Sequence, residues 1–139
     1  MSAVQGPIRA IRYGLMDEGE YIENAYEKVL KIAQIETMEG YENLDEILEV
    51  DGIDSLFIGA ADLSRSIRAR NDETDLNTVY EDICRRVRRK GRYLGAAIGA
   101  TKQEAQRVKD LGVQWVVFGQ DARALADALK SNLDEIKDF

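Results

Sequence analysis

Histidine is absent from this 139-residue chain. General acid–base chemistry near neutral pH draws on that side chain more than on any other. A histidine-based mechanism is therefore excluded for the chain acting alone. A single cysteine, Cys84, leaves no partner for an internal disulfide and predicts a reducing compartment, the cytoplasm. No apolar stretch approaches the roughly 20 residues that span a bilayer. The opening Met1-Ser2-Ala3-Val4-Gln5 lacks the basic and apolar segments of a signal peptide. Proline occurs once, at Pro7, and no low-complexity stretch forms a linker, so the expectation is one domain over 1–139. Positive charge is the minority, 19 Lys and Arg against 26 Asp and Glu, for a net charge of −7. That balance argues against nucleic-acid or anionic-membrane partners, which would repel the chain as a whole. The local exception, Arg85-Arg86-Val87-Arg88-Arg89-Lys90, continues a helical face through Val79, Ile83 and Val87, which puts its charges on the solvated side.

What is present is ordinary globular composition, 45% hydrophobic and 32% charged. Four short apolar runs, Val29 to Ile35, Leu56 to Gly59, Leu94 to Gly99 and Trp115 to Gly119, have strand length without strict alternation. Runs of that kind suit a parallel sheet covered on both faces. Helical spacing is predicted between and around them: Glu20 to Lys28, Glu42 to Val50, Thr78 to Arg89, Thr101 to Leu111 and Ala122 to Ile136. The fourth of these opens with Thr101-Lys102-Gln103-Glu104, a capping-box pattern. In the last, Leu125, Leu129, Leu133 and Ile136 share a face. Arg65 to Asp75 reads as one long polar loop. Gly52-Ile53-Asp54-Ser55-Leu56-Phe57-Ile58-Gly59 recurs weakly as Gly112-Val113-Gln114-Trp115-Val116-Val117-Phe118-Gly119. The pattern is α/β, about four parallel strands each followed by a helix. Such repetition fits a barrel or a doubly wound sheet. A whole (β/α)₈ barrel takes about 250 residues, so this chain is too short for one.

Chemistry in such folds gathers at the C-terminal ends of strands. Gln34 and Glu36 end the first strand two residues apart, and so share a face. Asp62 follows the second strand, after the small residues Gly59, Ala60 and Ala61. Two carboxylates converging there call for a positive charge between them, and all-oxygen ligation suits Mg²⁺ or Mn²⁺. The backbone N–H groups of the small residues could meet a small anion. The competing readings are bland: a strand-end Glu paired with an Arg, and an Asp that caps a helix. Trp115 and Phe118 read as core, Cys84 as an unactivated helix residue, and Asp121 as a cap rather than a ligand.

Ala33-Gln34-Ile35-Glu36-Thr37, taken with Leu56-Phe57-Ile58-Gly59-Ala60-Ala61-Asp62-Leu63-Ser64, closely resembles the paired signatures of the HpcH/HpaI aldolases, class II pyruvate aldolases. Gly6-Pro7-Ile8-Arg9-Ala10, Tyr13-Gly14, Glu20-Tyr21-Ile22 and Val50-Asp51-Gly52-Ile53-Asp54 look like the family's approaches to those two strands. The resemblance implies the C-terminal half of a TIM (β/α)₈ barrel. It implies Glu36 and Asp62 as ligands of Mg²⁺ or Mn²⁺, Gln34 as the residue that orients that sphere, and the backbone at Ala60 and Ala61 as the holder of a 2-oxo acid such as pyruvate. Two departures stand out. Ala60 occupies the place of a usual proline, and the family's N-terminal half, with its histidine base and a substrate-binding arginine, has no counterpart here. No catalytic residue is therefore assigned. The chain is expected to be an aldolase part, inactive alone and completed by a second half-barrel. The alternative is a non-catalytic half-barrel scaffold that self-associates as a homo-oligomer or binds metal or 2-oxo acid. A third reading, an unrelated flavodoxin-like domain, requires the motif match to be coincidence.

Overall fold

The computed structural model describes residues 9–70, 73–99 and 101–137. The chain divides into two compact units, Met1–Lys31 and Ile32–Phe139. In the first, a 3₁₀ turn at Arg9–Gly14 precedes helix α1 (Glu18–Lys28). Asp17 caps α1, its Oδ1 accepting from the Glu20 N–H at 3.1 Å. Gly6, Pro7 and Ile8 of the family-like approach lie outside the described residues.

The second unit runs β1 (Ile32–Ile35), α2 (Met38–Glu42), α3 (Leu44–Glu49), β2 (Ser55–Ile58), α4 (Ala60–Ala69), α5 (Leu76–Arg89), β3 (Tyr93–Ile98), α6 (Lys102–Asp110), β4 (Trp115–Phe118) and α7 (Asp121–Ile136). All strand pairs are parallel and the sheet order is β1-β2-β3-β4. A doubly wound sheet reverses its strand order at a switch point. This one advances in a single direction, as one arc of a barrel does.

Register shows where the core sits. Ala33, Leu56 and Leu94 lie in one cross-strand row, and Ile35, Ile58 and Ala96 in the next. Those rows face Leu44, Leu48, Leu63, Ile67, Val79, Ile83 and Val87 from α3, α4 and α5 in one apolar cluster. Each fully buried Leu, Ile or Val contributes roughly 1.5–3 kcal/mol. The opposite face carries Ile32, Gln34, Phe57, Tyr93 and Val117, of which Tyr93 is 65% and Val117 47% exposed. Among the described residues of this unit, coverage on both faces, as the apolar runs suggested, is therefore not found.

Four further expectations change. The first strand starts at Ile32, because the Val29 N–H still bonds Ala25 O at 3.1 Å and ends α1. Much of the supposed polar loop is helix: α4 continues to Ala69 because Leu63 and Ile67, four apart, bury one side beneath its charges. Phe118 is 67% exposed rather than core. The apolar stripe of α7 forms as spaced, yet Leu125, Leu129, Leu133 and Ile136 are all exposed. The capping box is half made. Thr101 Oγ1 accepts from the Glu104 N–H, while the Glu104 carboxylate turns to the Gly99 N–H at 2.6 Å. In the basic run on α5, Arg86 pairs with Asp45 at 3.0 Å, Arg85 with Asp82 and Lys90 with Glu49.

Candidate functional site

β1 and β2 end level with each other, Ile35 opposite Ile58. The Gly59 N–H donates to Ile35 O at 3.0 Å, so the ladder runs one step past the last paired residues. Glu36 and Gly59 thus leave the sheet side by side. Gln34, two residues before Glu36, turns its amide toward it: Nε2 donates to Glu36 Oε2 at 2.7 Å. The sequence brought these two together by strand alternation, and the structure joins them by a hydrogen bond.

Gly59 makes the arrangement possible. A Cβ at this position would fall 2.7 Å from both Gln34 Nε2 and Glu36 Cβ, and 3.3 Å from Glu36 Oε2. The missing side chain is what lets the Gln34–Glu36 pair lie across the strand end. Gly59 also serves as N-cap of α4, with no side-chain bond to the first-turn N–H groups of Ala60 and Ala61. Leu63 and Ile67 fix the helix in the core. The Met38 N–H donates to Ser66 Oγ at 2.9 Å, tying the chain just after Glu36 to the same helix.

Asp62 lies in the first turn of α4. Its carboxylate accepts from Arg65 Nη1 at 2.5 Å, with its own side chain 53% exposed. The structure therefore joins Gln34 to Glu36 and puts Asp62 on the adjoining helix, bonded to an arginine. Arg65 was not singled out in the sequence; the Asp62-x-x-Arg65 spacing, once α4 is recognised, was the available signal. Gly59 was singled out as a residue of small bulk and as the last glycine of the repeated strand segment, not for the room it leaves.

The donor set suits a hard divalent cation. Beside the glycine at the strand end stand the Glu36 carboxylate and the Gln34 amide, oxygen donors of the kind such a cation takes. Among the described residues no group of three or more His, Cys, Asp or Glu is placed to hold a metal.

The remaining candidates have other roles. Burial pushes the Cys84 thiol up to about 11 despite nearby Arg107, so it is no nucleophile at neutral pH. Burial likewise raises the Tyr80 phenol to about 12. Asp121 begins α7, and its Oδ1 accepts from the Ala122 N–H at 2.7 Å. Trp115 is half-buried on the open face of the sheet rather than in the core. Its Nε1 donates to Ser55 Oγ at 2.8 Å, its ring stacks on Phe57 at 5.5 Å, and a Cβ on Gly95 would fall within its indole. Among the described residues no helix is long and apolar enough to cross a membrane.

The sequence profile described as HpcH/HpaI aldolase/citrate lyase matches residues 2–128. A 2-keto-3-deoxy-L-rhamnonate aldolase from Klebsiella pneumoniae is 35% identical over 134 residues, covering 95% of this chain and 49% of that protein. A hydroxypyruvate/pyruvate aldolase from Pseudomonas aeruginosa is 32% identical, covering 91% of this chain and 53% of that protein. Among solved structures, an HpcH/HpaI aldolase/citrate lyase family protein from Burkholderia cenocepacia superposes with a TM-score of 0.76 at 25% identity. That match takes in 99% of this chain and 53% of the other. The chain spans about half the length of the curated relatives it matches.

Proposed function

The chain belongs to the HpcH/HpaI aldolase/citrate lyase family, and from that premise we propose that it is the metal-binding half of a class II aldolase. The complete enzyme would cleave aldols of 2-oxo acids to pyruvate and an aldehyde. The observation that carries the reading is the cradle at Gly59, where Gln34 and Glu36 meet beside the helix that bears Asp62.

In this reading Glu36 and Asp62 hold Mg²⁺ or Mn²⁺. Held there, the ion would supply Lewis acidity toward the keto group of a 2-oxo acid. Gln34 holds the Glu36 carboxylate in its orientation through the hydrogen bond that Nε2 donates to Oε2. The uncapped first-turn N–H groups at Ala60 and Ala61 receive the substrate carboxylate, helped by the positive end of the α4 dipole. No residue here is assigned to move the proton, since the chain contains no histidine. The base comes from a complementary half-barrel, and the chain alone binds but does not turn over. The lone buried cysteine suits the cytoplasm as its compartment.

Thermal unfolding with Mg²⁺ or Mn²⁺, with and without oxalate as a pyruvate-enolate mimic, tests this. Ligand at about 100 times its dissociation constant stabilises by about 2.7 kcal/mol. A rise in Tm that Glu36→Ala and Asp62→Ala each abolish is the expected result. A folded chain indifferent to metal and oxalate would sink the proposal.

One observation favours a second reading, a non-catalytic scaffold. β1 and β4 are open sheet edges, and the sheet face bearing Ile32, Tyr93 and Val117 is exposed. Edges and faces of this kind recruit another chain, including a second copy. A stable homo-oligomer without metal binding or aldol cleavage would select it.

A further inference from the structure

Resting on the two-carboxylate reading above, we propose that Arg65 is a resident counter-ion of Asp62 that an incoming divalent cation displaces, making Arg65 the residue that tunes metal affinity. The two carboxylates are held differently. Glu36 accepts from the neutral amide of Gln34 at 2.7 Å, whereas Asp62 accepts from the guanidinium of Arg65 at 2.5 Å. A cation can share Glu36 with that amide. On Asp62 it meets the guanidinium, a charge of like sign held on Oδ1, and the two repel.

The pair is built to open. Its members sit three apart on α4, neighbours on one helix face, with side chains 71% and 53% exposed. Solvation makes such an ion pair a minor contributor to folding. The helix is held by other means, Leu63 and Ile67 in the core and Ser66 Oγ bonded to the Met38 N–H. Arg65 can therefore swing away without loosening the element that carries Asp62. Loss of this exposed pair is the toll on metal entry, about two- to fivefold in affinity. Arg65 is a positioning residue in this scheme, acting through Asp62.

Calorimetric titration of the whole chain with Mn²⁺ tests the assignment without depending on activity. Arg65→Gln should bind Mn²⁺ about two- to fivefold more tightly than the parent, the weight of one exposed ion pair. Arg65→Lys, which keeps the charge but not the forked donor, should fall between them. Arg68→Gln removes an equal charge farther along the same helix and should match the parent. The gain from Arg65→Gln should fade toward 1 M salt, where charges are screened within about 3 Å. Unchanged or weaker binding by Arg65→Gln overturns the proposal, as does an equal gain from Arg68→Gln, which would reflect net charge alone. Binding that Asp62→Ala abolishes but Arg65 leaves untouched sinks only this inference. A folded parent that binds no Mn²⁺ sinks the two-carboxylate reading with it.

Discussion

Gly59→Ala isolates the one steric requirement on which the candidate site depends. Gly59 has φ −85° and ψ 69°, an inverse γ-turn conformation open to alanine, so the backbone itself resists nothing. The cost comes from contact. The added methyl would lie 2.7 Å from Glu36 Cβ and from Gln34 Nε2, where carbon–carbon contacts prefer about 3.5–4.0 Å. The Gln34 amide can rotate aside. Glu36 Cβ cannot, because it is fixed to the end of β1, so the strand ends must spread and the Gly59–Ile35 bond at 3.0 Å must lengthen. Overpacking of this size costs about 1–3 kcal/mol, and alanine is also a poorer N-cap than glycine. For a chain of this length Tm should fall by roughly 4 °C per kcal/mol, or about 4–12 °C. Differential scanning calorimetry reads the shift, and Mn²⁺ titration of the folded variant reads the displaced carboxylate. Adding Gln34→Ala should restore little, since the fixed clash is at Glu36. A variant with unchanged Tm, or one fully rescued by Gln34→Ala, would refute the reasoning.

Two further outcomes follow from features away from that site. Gly95→Ala must expel the indole of Trp115, the chain's only tryptophan, and break its bond to Ser55; fluorescence emission should shift red, and an unshifted spectrum would contradict the placement. The Cys84 thiol lies near 11 when folded, above its ordinary value near 9. Its contribution to stability is therefore full below about pH 9 and is lost as pH rises through about 11. Tyr80, raised to about 12, acts in the same direction at higher pH. Urea midpoints that stay flat from pH 9 to 11, or rapid thiol labelling of the folded chain at pH 8, would overturn this.

The family and the half-barrel were legible because their signals are local. Gln34, Glu36 and Asp62 stand in short contiguous motifs at strand ends, and strand alternation alone puts the first two on one face. The α4 helix was hidden because Arg65, Arg68 and Arg70 drew attention to charge while only Leu63 and Ile67 mark the buried side. Gly59 as a steric cradle was invisible, since it depends on a neighbouring strand. The same holds for Glu104, which answers the Gly99 N–H rather than its own cap. Phe118 was misjudged for another reason: an apolar strand residue reads as core whether or not this chain covers its face, and the α7 stripe, spaced as expected, is exposed in the same way.

The consecutive strand order also governs how the unit assembles in time. Paired positions lie 23 residues apart between β1 and β2 (32 to 55), 38 between β2 and β3 (55 to 93) and 20 between β3 and β4 (95 to 115). Closing a loop costs about (3/2)RT ln n, so even the longest and shortest of these differ by under about 1 kcal/mol. No ladder is an entropic bottleneck, and each can nucleate its neighbour. The β1–β2 ladder, whose ends bear Gln34, Glu36 and Gly59, can zip without awaiting β4 or α7. Loop closure therefore imposes no order of pairing on the three ladders.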